Sequence, residues 1–257
     1  MCIRDRRYTP PELVFWILVL GPCIFNDFAG YTDMARGFSR LLGIELSVNF
    51  RSPNFNKGIS DFWTRWHITL SFWLRDYVYF PFSRYLLKKN TRLTMQLRFF
   101  APVIITMAVS GIWHGFGVNF LIWGILIGIV AFIEQTVASA WSNLPFGQGK
   151  LVLTLRNYTF FGIMFSTLVF FLMDASTALA YWRQLFDWSE ITKPNIRLLW
   201  LVLPGLWIEW RQFRTDNELF FMEGSQGKKV LLMGLALVLV VLYSLGGMSR
   251  PFVYQAF

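Results

Sequence analysis

From Phe99 to Ile133 the chain runs for 35 residues without an Asp, Glu, Lys or Arg. A membrane crossing takes about 20 mostly apolar residues. The run is therefore long enough for two crossings joined by a tight turn, and Gly115 and Gly117 mark where that turn falls. The rest of the chain agrees with it. Of 257 residues, 55% are apolar and 15% charged, with a mean hydropathy of +0.45. Soluble domains are nearer a quarter charged, so an ordinary soluble enzyme is excluded. Disorder is excluded by the apolar content, and collagen and coiled coil by the lack of a strict repeat.

Residues 157–173 and 230–245 are two further clear spans. Leu13–Asn26 and Leu198–Ile208 are shorter and hold Gly21-Pro22 and Pro204. They are expected to be broken, tilted or re-entrant helices, which a membrane tolerates where protein shields the backbone. The expected fold is an all-α multi-pass membrane protein forming a single domain over residues 1–257. The opening MCIRDRRYTPPE lacks a small-residue cleavage site and is expected to stay on the chain. Cys2 and Cys23 are too few for a disulfide framework or a zinc cluster.

The net charge is +9, and eleven of the twenty-four basic residues lie between Tyr31 and Arg98. In a chain this apolar, the charge points to anionic lipid and not to nucleic acid. The positive-inside tendency places segment 31–98 on the cytoplasmic side. The loop with Lys150 then also falls inside and residues 174–194 outside, with residues 211–229 inside if 198–208 crosses.

Segment 31–98 is too aromatic for a plain loop. SDFWTRWHITLSFWLRDYVYFP opens with Ser60 as a helix N-cap and Asp61 in the first turn. Trp63, Trp66, Leu70, Trp73 and Tyr77 recur at helical spacing, with His67 beside the stripe and Arg65, Arg75 and Asp76 interrupting it. One reading is a basic amphipathic helix lying in the interface. The other is a helix lining a buried cavity, since polar groups at membrane depth face a pathway.

The chain has two histidines, His67 and His114. His114 sits in SGIWHG, inside the uncharged run. An ionisable residue there is a functional-site candidate, and histidine is suited to move a proton near neutral pH. The alternative is a structural histidine bonded to a carbonyl at a helix end. No metal site is expected, because no His, Cys and carboxylate cluster has zinc spacing. Neither a GxxxxGK[ST] phosphate loop nor a GxSxG elbow occurs.

Four stretches together resemble the membrane-bound O-acyltransferase family, in the branch of alginate O-acetylation and teichoic acid D-alanylation. They are FNDFAGYTDMARGFSRLLGI (25–44), NFRSPNFNKGISDFWTRWHITLSFWLRDYVYFP (49–81), MAVSGIWHGFGVNFLIWGILIG (107–128) and PFVYQAF (251–257); ALAYWRQLF (178–186) is similar too. The resemblance starts near Phe25 and corresponds to the C-terminal part of longer proteins. The chain is thus expected to be a fragment lacking N-terminal spans, with residues 1–12 an atypical leader.

The resemblance implies tilted helices around a through-membrane tunnel in the bacterial inner membrane. It implies an acyl donor arriving from the cytoplasm, either acyl-CoA or an acyl carrier protein, and no bound cofactor. His114 matches the presumed catalytic residue and His67 the second histidine. Acyl transfer to a hydroxyl needs a base and a stabilised oxyanion. His114 is the expected base, with His67, Trp113, Asn119 or a backbone N–H polarising the carbonyl. Trp63 and Trp66 are expected to support the site. Asp61, Arg75 and Asp76 are expected to form a buried ion-pair framework or to meet the donor's phosphopantetheine. The basic stretch 84–98 is expected to dock an acidic carrier or coenzyme A phosphates, or simply to be a cytoplasmic loop. The expected acceptor is a hydroxyl of a cell-envelope polysaccharide or of an extracytoplasmic modifying partner, with an acetyl group transferred. D-alanyl transfer to teichoic acid is the near alternative, and a non-catalytic conduit or scaffold for an extracytoplasmic transferase is the alternative of another class.

Overall fold

The computed structural model describes residues 8–89, 91–142 and 149–245. All regular structure among them is helical. The chain starts with α1 (Pro10–Leu41), then α2 (Ile59–Arg65), α3 (Ile68–Leu74), α4 (Phe80–Lys89) and α5 (Arg92–Leu97). An antiparallel pair follows, α6 (Ala101–His114) and α7 (Val118–Ser142), then α8 (Lys150–Ser166) and α9 (Leu168–Leu172). The last elements are α10 (Ala175–Gln184), α11 (Leu199–Thr215) and α12 (Gln226–Leu245).

Among the described residues three stretches are long and apolar enough to cross a membrane: Pro10–Leu41, Val118–Ala140 and Val152–Phe170. The first corrects the sequence expectation. Gly21-Pro22 does not break the segment 13–26, because α1 runs for 32 residues straight through Pro22. A proline inside a helix removes one hydrogen bond. Here α1 starts on a capping box, with Glu12 accepting from the Thr9 N–H at 3.0 Å, and buries Leu13, Val19, Ile24, Phe25 and Phe28. Membrane helices keep prolines where packing shields the freed carbonyl. Pro204 likewise lies inside α11 without ending it.

The uncharged run turns at Gly115–Gly117, as its glycines predict. Its two arms differ in length. α7 has 25 residues, but α6 has 14 and spans only about 21 Å, short of a hydrocarbon core. The two pack backbone to backbone. A Cβ on Gly111 would strike the Phe120 carbonyl oxygen, and one on Gly124 the Met107 carbonyl oxygen. Small residues let membrane helices approach this closely.

The core lies where α2, α7, α8, α9 and α10 meet, around Ile59, Phe62, Trp123, Ile127, Met164, Phe165, Phe170 and Ala178. Large apolar side chains of α1 and α12 stay exposed, among them Leu18, Phe38, Val230, Leu231 and Leu237. In lipid, such surfaces carry no hydrophobic penalty. The predicted span 230–245 falls within α12. The stretch PFVYQAF and the first seven residues, Cys2 included, lie outside the described residues.

The predicted helix from Ser60 onward is not one helix. It starts earlier, after Gly58, whose φ of 144° leaves room for glycine only. It then breaks at Trp66–His67. His67 adopts the left-handed conformation (φ 40°, ψ 56°) and α3 begins directly after it. A π-turn, Arg75–Tyr79, separates α3 from α4. These two irregularities shift the phase of the aromatic stripe. Trp63, Trp66 and Leu70 face a cavity, whereas Trp73 and Tyr77 stack on each other 5.3 Å apart and are 50% and 68% exposed. The cavity-lining reading therefore holds for the first half of the stripe, and the second half lies at the surface.

Candidate active site

The left-handed turn at His67 leaves backbone groups of the broken helix to be satisfied. Asn49 takes them up. Its main-chain oxygen accepts from Ile68 N at 3.0 Å. Its Oδ1 accepts from Thr69 N at 3.3 Å and from Thr69 Oγ1 at 2.7 Å. Ser71 Oγ donates to the Trp66 oxygen at 2.9 Å. A non-glycine residue with positive φ persists only where its surroundings over-determine it, and such residues gather at functional sites.

His114 arrives from the other side, as the last residue of α6 before the glycine turn. Both histidines line one cavity of about 280 Å³, enclosed mainly by α2, α3, α6, α7 and α8. The Trp113 ring, outside the cavity lining and 54% exposed, touches both histidines, edge-on to His67 at 6.0 Å and to His114 at 4.8 Å. Trp123 from α7 meets His114 edge-on at 5.2 Å, and Phe28 from α1 meets His67 at 5.0 Å. Aromatic rings thus pack edge-on against both imidazoles in an otherwise largely apolar chamber.

Among the polar atoms of the wall, His67 Nδ1 and Trp63 Nε1 are buried without a hydrogen-bond partner among the described residues. Leaving such a group unpaired costs about 1–3 kcal/mol, which substrate atoms can recover. Among the described lining residues Arg75 is the one Lys or Arg, and none is Asp or Glu.

The remaining candidates fall into two groups. Trp63, Trp66 and Arg75 join the histidines in the cavity wall. Asn119 does not, since its Nδ2 donates to the Phe170 oxygen at 3.2 Å and ties α7 to α9. Nor do Asp61 and Asp76. Asp61 accepts from Lys57 N at 2.8 Å and pairs with Arg65 at 3.0 Å. Asp76 pairs with Arg75 at 2.8 Å, both about half exposed. This corrects the expectation of a buried ion-pair framework from Asp61, Arg75 and Asp76. Arg75 and Asp76 pair with each other where both are half exposed, and Asp61 pairs with Arg65 instead, so the three do not share one framework. Arg75's hydrogen bond holds the Asp76 carboxyl below its ordinary range.

The buried carboxylates lie elsewhere, at positions that sequence reasoning misses. Glu134 on α7 is 5% exposed and meets Arg156 of α8 at 3.8 Å. Its carboxylate also packs against Gly58, at the start of α2. Glu209 on α11 is 1% exposed. Gln135, beside Glu134, donates to Ser60 Oγ at 2.9 Å, and both residues line the cavity. A signal for all three exists. Each is a polar group set in or next to an apolar run, such as Glu209 within LWIEW, and membrane segments keep such groups only for a purpose. Gln135 also borders a second, open groove lined by Arg92, Arg98 and Phe99. Among the described residues no three His, Cys, Asp or Glu side chains come close enough to hold a metal ion.

A bundle of membrane-crossing helices with a paired-histidine chamber at its centre defines a class of integral membrane protein. The chain belongs to the membrane-bound O-acyltransferase family, whose profile matches residues 13–173. Its curated relatives include the peptidoglycan O-acetyltransferase of Helicobacter pylori, 35% identical over 140 residues, covering 54% of this chain and 25% of the relative. The probable alginate O-acetylase AlgI of Pseudomonas fluorescens is 30% identical over 200 residues, covering 76% and 38%. The teichoic acid D-alanyltransferase of Bacillus subtilis is 40% identical over 106 residues, covering 40% and 26%. The chain thus spans less than two fifths of the length of these relatives.

Proposed function

We propose that this chain forms the histidine-bearing part of a single-domain O-acyltransferase of the bacterial inner membrane. It would move an acetyl group from a cytoplasmic thioester, carried by coenzyme A or an acyl carrier protein, to a hydroxyl of a cell-envelope polysaccharide or of an extracytoplasmic partner protein. The observation that carries the reading is the meeting of the chain's two histidines in one apolar cavity, although 47 positions separate them in sequence.

His114 acts as general base. Its neutral imidazole takes the proton of the acceptor hydroxyl as that oxygen attacks the thioester carbonyl. The tetrahedral oxyanion that forms is stabilised by hydrogen-bond donors in the wall, for which His67 and Trp63 Nε1 are the candidates. The carbon–sulfur bond then breaks, and the imidazolium returns its proton to the departing sulfur. Dry aromatic walls strengthen each of these electrostatic contacts. Segment 31–98 faces the cytoplasm in this reading. The Arg92–Arg98 groove, which shares Gln135 with the chamber, gives the donor's phosphates a place to bind.

The lining also favours an uncharged acyl group. A D-alanyl ammonium would find no Asp or Glu among the described lining residues. The identity to a D-alanyltransferase keeps that donor as the second arm of the test.

The test is transfer by membranes carrying the protein, with labelled acetyl-coenzyme A in one sample and labelled D-alanyl carrier protein in another. Incorporation into envelope polymer from acetyl-coenzyme A is expected. His114→Ala, present at normal levels, is expected to lower it by about 10²-fold or more. Incorporation only from D-alanyl carrier overturns the acetyl assignment. Transfer that is unchanged in His114→Ala removes the base and favours a conduit serving another transferase.

A further inference from the structure

Glu209 has no part in the chemistry above, yet it is among the most deeply buried side chains. It projects from α11 toward the segment that precedes α2. Both carboxyl oxygens accept from one residue: Oε1 from Asn54 N and Oε2 from Asn54 Nδ2, each at 2.7 Å. The Glu209 main-chain oxygen accepts from Ser52 Oγ at 3.3 Å. No ion pair to Glu209 is found among the described residues, so two neutral N–H groups of one asparagine satisfy it.

What Asn54 anchors is a strap, residues 49–56, that runs back along the break between α2 and α3. Its Arg51 N donates to the Arg65 oxygen at 3.0 Å, and Arg65 Nη1 returns a bond to the Arg51 oxygen at 3.3 Å. Its Asn49 supplies the bonds to Ile68 and Thr69 on the far side of His67. Phe55 stacks on Phe213 of α11 at 5.5 Å with 19° between planes. The strap and the histidine turn each hold a non-glycine residue in the left-handed region, Ser52 (φ 49°) and His67 (φ 40°). Neither conformation is stable without outside support. The chain of bonds that supplies this support starts at Glu209.

We propose that Glu209 is a positioning residue that sets the His67 turn through Asn54 and the strap, from a helix far along the chain. The proposal rests on the histidine-chamber reading of the activity. It predicts a reciprocal amide exchange. In Glu209→Gln the amide nitrogen faces the Asn54 Nδ2 donor, so the Asn54 amide has to flip to keep the pair, and the charge assistance of the carboxylate is lost. In Asn54→Asp two carboxylates face each other. The double variant, Glu209→Gln with Asn54→Asp, restores both bonds. The introduced amide oxygen accepts from the backbone N–H of the strap, and the introduced amide nitrogen donates to the new carboxylate.

The experiment measures transfer kinetics and hydrogen exchange in peptides covering 49–69, in membranes or detergent, for the wild type, both single variants and the double. Each single variant is expected to lower kcat about tenfold, to leave the donor KM within about twofold and to speed exchange across 49–69. The double is expected to recover kcat to within about threefold of wild type and to restore protection. A purely structural role would lower the amount of folded protein and leave turnover per molecule unchanged. Asn54→Ala, which keeps the backbone bond, is the milder variant if the singles fail to accumulate, with an expected kcat loss of about threefold. Unchanged kcat and exchange in the variants that accumulate, or a double no better than the singles, overturns the proposal. If the wild type itself shows no His114-dependent transfer, the functional reading fails, and exchange alone then decides whether Glu209 holds the strap.

Discussion

His114 and His67 share a chamber but are held there in opposite ways. His114 ends one arm of a helical hairpin whose partner follows after three residues. Glycines seat the two arms backbone to backbone, and every contact involved is local in sequence. His67 sits at a strained break between two seven-residue helices. Its turn is held by Asn49, by Gln135 of α7 bonding Ser60 and Glu134 packing against Gly58 at the start of α2, and by Glu209 of α11 acting through Asn54. The first arrangement depends on shape, the second on a set of directional bonds from distant elements. The hairpin should therefore fail as a unit when its packing is violated. The turn should loosen in steps as single bonds are removed.

The largest expected effect tests the hairpin. Gly124→Leu places a side chain against the Met107 backbone, which cannot retreat without separating α6 from α7. Overpacking typically costs about 1–3 kcal/mol and more against backbone. Loss of folded protein from the membrane is expected, read as a collapse of the monodisperse peak in detergent. A well-folded Gly124→Leu protein would break the contrast between the two regions.

Glu134→Ala comes next. It leaves Arg156, 10% exposed on its side chain, without a carboxylate partner and removes the side chain packed against Gly58 at the start of α2. Removing one member of a buried pair costs about 3–5 kcal/mol, and the 3.8 Å separation places this pair at the low end. A drop in thermal midpoint with α2 more accessible to protease is expected. Asn49→Ala removes two bonds to Thr69 but keeps the main-chain bond to Ile68. A stability loss of about 1–2 kcal/mol is expected, with a clear fall in transfer rate. Full activity in Asn49→Ala would show that His67 does not need its turn held.

The smallest effect lies away from both histidines and serves as the control. Asp174 caps α10, accepting from Ser176 Oγ, Thr177 N and Thr177 Oγ1. The hydrogen bonds from Ser176 and Thr177 hold its carboxyl below the ordinary range. A depressed carboxylate contributes stability that is fully present above its unfolded value, near pH 4. It is lost as the pH falls below that value toward the folded one. Asp174→Ala is expected to lower the thermal midpoint slightly at about pH 6 and to narrow the gap from wild type as the pH drops below about 4. A gap that stays constant over that range would remove the capping account.

The hairpin is legible in the sequence because its determinants are consecutive. Uncharged residues on both sides of Gly115–Gly117 can form only two buried helices and a turn. The aromatic stripe is legible as helical, and its first half does line the cavity. Its break at His67 is not visible, because the local sequence TRWHITLS is compatible with an unbroken helix. The bonds that hold the break come from Asn49, which lies outside that stretch. Asp61, Arg75 and Asp76 suggest a buried framework through their proximity to the histidine in sequence. The pairs they form, with Arg65 and within Arg75–Asp76, lie nearer to water. Pro22 shows the reverse error, a local breaking signal overridden by the packing of a long apolar helix.

By itself, then, the sequence determined the solvent and the local elements. An apolar, charge-poor chain with runs longer than a bilayer is thick must place its helices in lipid, and hydrophobic period and glycine placement set where helices form and turn. Only the tertiary structure decided which polar groups are buried and what satisfies them. Glu209 reaches Asn54, and Glu134 reaches Arg156 and Gly58, across distances along the chain that no local pattern encodes. A buried carboxylate has to find its donors wherever the fold brings them, and those donors decide the geometry in which His67 faces His114.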